Sequence, residues 1–77
     1  MNKIVWSRYE SELQQQSYLY GSTKTDNYFF SFVITFEEKT GNYKLHSQNG
    51  CFSSDTIHAS EDAAKQAARF YFNQRNK

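Results

Sequence analysis

Residues 28–36 read Tyr-Phe-Phe-Ser-Phe-Val-Ile-Thr-Phe, and this run most constrains the fold. Aromatic and β-branched side chains at this density favour an extended strand. Alternation puts Tyr28, Phe30, Phe32, Ile34 and Phe36 on one side of it, the expected core. The other side carries Phe29, Ser31, Val33 and Thr35. A strand with large apolar groups on one whole face needs a second layer against that face. The remaining residues must supply that layer and the neighbouring strands.

The cover comes from the C-terminal stretch. From Ser60 the chain reads Ser-Glu-Asp-Ala-Ala-Lys-Gln-Ala-Ala-Arg-Phe-Tyr-Phe-Asn-Gln. Ser60 is suited to cap a helix N-terminus, because its hydroxyl accepts from a free amide of the first turn. Glu61 and Asp62 sit where the helix dipole favours negative charge, and Arg69 and Arg75 lie towards the other end. Helical spacing gathers Ala63, Ala64, Ala67, Ala68, Phe70 and Tyr71 into a broad stripe, with Phe72 at its edge. Four alanines let the helix approach a sheet closely.

Other strands flank the principal one. Residues 37–42, Glu-Glu-Lys-Thr-Gly-Asn, form a polar turn, and residues 43–47 alternate again, giving a hairpin. Asn49-Gly50 is a second turn signal, since both residues tolerate positive φ. A short strand near residues 51–53 follows, then a loop through Ser54, Asp55 and Thr56. Residues 4–9 and 17–20 read as a strand pair joined by a polar connection, with a loop over residues 21–27. A helix over residues 5–16 is the alternative, from the spacing of Val5, Tyr9 and Leu13. The expected fold is therefore α+β. One domain over residues 1–77 would contain an antiparallel sheet of three to four strands packed on a C-terminal amphipathic helix.

Composition narrows the function. Seven Phe, six Tyr and one Trp offset the thin stability margin of a 77-residue chain. Nine Lys or Arg stand against eight Asp or Glu, far from the basic excess of a dedicated phosphate binder. A single cysteine, Cys51, excludes an internal disulfide framework and fits a reducing compartment. No apolar run spans a bilayer and no leader pattern is visible, so a cytoplasmic location without membrane association is expected.

No catalytic or metal constellation emerges. His46, Cys51, Asp55 and His58 fall within 13 residues. They lack the paired Cys or His spacing of structural zinc. Cys51 beside a turn is better read as a packing residue than as a nucleophile. Glu37-Glu38 belongs to a solvated turn and Glu61-Asp62 to a helix start, so neither pair converges across a cleft. The three glycines, at 21, 41 and 50, form no phosphate loop. No cofactor, metal or enzymatic activity is expected.

The order of motifs carries a resemblance. Trp6 lies in an opening strand, Gly41, Tyr43 and Leu45 close a hairpin, and Ser60, Ala64, Lys65 and Ala68 mark the final helix. The series resembles small phage- and prophage-encoded ββββα proteins, mostly without assigned function. That likeness implies a phage origin and a non-enzymatic accessory role: binding and inhibiting a host protein, including antiviral defence components, in the manner of an anti-CRISPR inhibitor. If residues 5–16 were helical, the order αβββα would resemble a double-stranded-RNA-binding domain. The start of the last helix is basic in that family, but here it reads Ser60-Glu61-Asp62, and the Gly-Pro-x-His loop has no counterpart.

One helix covers one face of a sheet, so the opposite face must meet water, a second copy as a homodimer, or a foreign partner. Phe29 and Val33, joined by Tyr18 and Tyr20, are the candidate protein-binding residues. The alternative is nucleic acid, held by Lys65, Arg69 and Arg75 on the helix with sheet aromatics stacking on bases.

Overall fold

In the computed structural model, residues 3–11, 16–25, 29–50 and 52–75 are described. Phe30, Phe32 and Ile34 of the aromatic run all point into the core. The strand that carries them, β3 (Phe29–Glu37), lies in the middle of an antiparallel sheet. Its neighbours are β2 (Gln16–Lys24) and β4 (Asn42–Asn49), with β1 (Val5–Ser11) and β5 (Phe52–His58) at the edges. The sheet among the described residues thus has five strands, ordered as they occur in the chain, where three to four were expected. The helix α1 (Glu61–Arg75) packs on one face, against β3, β4 and β5.

Two strands also run further than expected. Residues 54–56, expected as a loop, continue β5, because Asp55 and Thr56 sit opposite His46 and Leu45 in unbroken register. β2 also runs on through Gly21, where a loop was expected to begin. Gly21 is there for closeness, not for turning. A Cβ at this position would lie 2.5–2.8 Å from ring carbons of Trp6, its partner on β1. The bare backbone lets the indole lie flat on β2 and reach Phe32, 6.2 Å away between ring centres.

The connections follow their local chemistry. Gly41 adopts a φ of 73° and donates its amide to the Glu37 carbonyl at 2.8 Å, closing the β3–β4 turn. Gly50, with a φ of 60°, opens a two-residue link between Asn49 and Phe52, which are paired. Primed hairpin turns need that positive φ. Asn49 itself ends β4 and is buried, so the turn begins one residue later than Asn49-Gly50 suggested.

The core comprises Leu19, Phe30, Phe32, Ile34 and Leu45 from the sheet with Ala64, Ala68 and Phe72 from the helix. Phe30 meets Phe72 edge-on at 4.9 Å, a favoured aromatic geometry. The helix is rotated from the expected stripe. Ala64, Ala68 and Phe72 follow at i, i+4 and i+8 and are buried, whereas Phe70 is 65% exposed. Phe70 and Phe72 stand about 160° apart around the axis, so only one can face the sheet. Phe36 departs from the expected core as well. It lies beside the β3–β4 turn, 39% exposed, with its ring 5.1 Å from Tyr43. Tyr28 lies outside the described residues.

Ser60 caps the helix as its sequence implied: the hydroxyl oxygen accepts from the Ala63 amide at 3.1 Å. Arg8 of β1 donates to Glu61 at 2.8 Å, tying the far edge strand to the helix start. Both partners are partly exposed, so this pair contributes only about 0–1 kcal/mol. The cap matters more. Ser60→Ala should cost about 1 kcal/mol, measurable as a lower urea midpoint with an unchanged slope.

Candidate interaction face

Cross-strand register decides which side chains share the uncovered face. Directly paired residues point the same way, so the side of β3 carrying Phe29, Ser31, Val33 and Thr35 continues through its neighbours. Tyr20 sits opposite Val33, and Tyr18 opposite Thr35. His46 and Lys44 take the corresponding places on β4, and Asp55 and Ile57 on β5. On β1, Tyr9 and Ser7 stand opposite Tyr18 and Tyr20. All four candidate protein-binding residues, Phe29, Val33, Tyr18 and Tyr20, therefore lie on the face away from the helix.

Phe29 is 54% exposed, while Val33, Tyr18 and Tyr20 are half-buried by the side chains beside them in the sheet. Tyr9 completes the group and was missed from sequence. Its ring stacks on Tyr18 at 5.6 Å and meets Tyr20 edge-on at 6.4 Å. It stays 48% exposed. The signal was present, since Tyr9 alternates with Val5 and Ser7, but it becomes readable only once β1 is taken as a strand. Three tyrosines thus form one rigid cluster on two adjacent strands, with serine, threonine and lysine around it.

Towards the β5 edge of the same face, Asp55 and His46 bridge β5 and β4 at 2.5 Å. A carboxylate only accepts, so the Nδ1–H of the imidazole donates. This hydrogen bond chiefly holds the Asp55 carboxyl below its usual range; partial desolvation opposes it, and the nearby charges of His46 and Lys44 lower it further. A depressed carboxyl pKa means a contribution that is complete above the unfolded value and lost as pH falls through the folded one. Acidification through the carboxylate range should therefore loosen the β4–β5 pairing. The protection of the residue 53–57 amides, after correction for the intrinsic pH dependence of exchange, should fall at low pH in the native chain, and Asp55→Asn should abolish that fall.

His46, Asp55 and His58 do not converge on one site. His46 and Asp55 occupy the open face, whereas His58 points to the helix side, 2.7 Å from the Thr56 hydroxyl. Cys51 lies outside the described residues.

The helix cations divide, two against one. Lys65 lies 3.9 Å from Glu61, which also holds Arg8. Arg69 is exposed, and Arg75 turns onto the Tyr71 ring at 5.2 Å. Lys65 and Arg69 lie one turn apart, about 40° around the axis, and Arg75 stands about 120° from Arg69, away from the patch those two share. None of these cations shares a face with the tyrosines. Among the described residues, no helix is long and apolar enough to cross a membrane.

Comparison with protein-family models, curated proteins and solved structures returns no match.

Proposed function

We propose that this chain is a non-enzymatic binding protein whose docking surface is the uncovered sheet face, centred on Tyr9, Tyr18, Tyr20 and Val33. The observation that carries this reading is the packed tyrosine cluster left open to solvent. Tyrosine gives large amphipathic contact area with few rotatable bonds, and serine and threonine add adaptable hydrogen bonds. Because the rings already brace one another, little side-chain freedom remains to be lost on docking.

Charge favours a protein partner over nucleic acid. The open face carries Lys44 and Lys24 against Asp55 and Glu37, close to balance. Nucleic-acid surfaces instead gather cations beside their stacking rings. A host protein inhibited by occlusion, with the chain acting as a phage accessory factor in the cytoplasm, is the biological form of this proposal. It rests on the sequence resemblance and not on the geometry.

The test is affinity capture from bacterial lysates with three versions of the chain. A specific protein retained by the native chain and by Lys65→Gln/Arg69→Gln, but lost with Tyr9→Ser/Tyr20→Ser, supports the reading. Retention of nucleic acid that depends on Lys65 and Arg69 and weakens steeply with salt would replace it. A homodimer that buries the tyrosines in solution would also overturn it.

A further inference from the structure

The two edges of the sheet differ, and the difference concerns a region separate from the tyrosine face. An edge strand offers unpaired amides and carbonyls to any passing strand, and charged side chains are a common guard. β1 carries Arg8 and Glu10, with Lys3 just before it. β5 reads Phe-Ser-Ser-Asp-Thr-Ile-His, without proline or lysine. Its one carboxylate, Asp55, points to the open face and is held by His46. On the helix side β5 presents only Ser54, Thr56 and His58 beyond Phe52.

Beside that unguarded edge a groove of about 350 Å³ runs between β5 and the C-terminal half of α1. Its walls are mostly apolar and include Leu45, Ala67, Phe70 and Tyr71. Phe70, turned outward because Phe72 faces the sheet, places a large ring on the groove wall. Arg75 also lines it, its guanidinium over the Tyr71 ring. No carboxylate of the described residues pairs with Arg75. An apolar trough with one cation that no described carboxylate pairs, alongside a bare strand edge, is complementary to an extended chain with alternating apolar groups and one acid.

We infer that β5 accepts an extended segment of a partner protein as a sixth strand, whose alternate side chains enter the groove, one of them a carboxylate received by Arg75. A second copy of this chain fits poorly. A copied β5 would turn its Ser54, Thr56 and His58 towards the groove and its Asp55 away, leaving Arg75 unmatched. The backbone ladder would supply affinity, while the groove and Arg75 would supply register and selectivity.

The test uses a displayed library of random octapeptides selected on the immobilised full chain, followed by synthesis of the enriched peptides. Enriched sequences should carry apolar residues at alternate positions and Asp or Glu at one of them. On binding, amides of residues 52–58 should gain exchange protection, and N-methylation of alternate peptide amides should abolish affinity. Arg75→Gln, an exposed change in the last helical turn, should weaken acidic peptides about tenfold and leave their amidated Asn or Gln versions unchanged. Tyr18→Ala/Tyr20→Ala should bind the peptides normally, which separates this site from the sheet face. Absence of enrichment, enrichment without an acid, protection mapped away from β5, or a β5-paired homodimer would each overturn the inference.

Discussion

Replacing Phe32 with alanine is expected to lower the unfolding free energy by about 3–5 kcal/mol. A chain of 77 residues has a total stability of roughly 4–12 kcal/mol, so the loss takes from about a quarter of that margin to all of it. Phe32 is fully buried at the point where three elements meet: Trp6 of β1 at 6.2 Å and Tyr71 of the helix at 6.0 Å. Removing the ring loses its transfer free energy, opens a cavity the sheet cannot close, and breaks two aromatic contacts worth about 0.5–1.5 kcal/mol each. Phe29→Ala, three residues away on the open face, is the control and should change stability by less than about 0.5 kcal/mol. Urea titrations followed by circular dichroism would compare the two. Equal losses would contradict the assignment of faces on which the docking surface depends.

Gly21→Ala, the addition of one methyl group, is the second large effect. That carbon would sit well inside contact distance of the Trp6 ring, against rigid ring atoms that cannot bend away. Either the indole swings outward and leaves Phe32, or β1 parts from β2. Overpacking of this kind costs about 1–3 kcal/mol. For a domain of this size, each kcal/mol corresponds to roughly 4–8 °C in Tm. Trp6 is the sole tryptophan, so its emission reports the displacement directly and should shift to the red. Trp6→Leu introduced together with Gly21→Ala should restore part of the loss, giving a combined effect smaller than the sum. A full additive loss would show that the glycine serves backbone conformation and not the indole.

What the sequence disclosed depended on how many neighbours each residue had to satisfy. The alternation in β3 was legible because that strand is central, with pairing on both sides and the helix above it. Ser60 was legible because capping is a local hydrogen bond. β5 was legible only at its start: Phe-Ser-Ser-Asp-Thr-Ile-His has no apolar rhythm, and its continuation past residue 53 is imposed by pairing with β4. The rotation of the helix was hidden because alanines occupy several of its faces, and alanine marks a direction only weakly. Phe70 and Phe72 were then ranked in the wrong order. Gly21 was taken for a turn residue because glycine looks alike whether it serves conformation or closeness.

The candidate face divided in the same way. Phe29, Val33, Tyr18 and Tyr20 could be assembled from period-two spacing alone. Tyr9 could not, because its strand competed with a helical reading of residues 5–16. On the helix, Lys65 and Arg69 share a face by i,i+4 spacing, and the turn of Arg75 onto Tyr71 was not legible from spacing.

Every strand pairs with the one before it in the chain, and the helix follows them all. Contacts between adjacent segments form with small loop-closure losses, so the meander should assemble rapidly once its hairpins nucleate. During synthesis the strands leave the ribosome before residues 61–75 do. Until that last segment emerges, Phe30, Phe32 and Ile34 have no lid, and the nascent sheet exposes its stickiest surface to chaperones and to other growing chains.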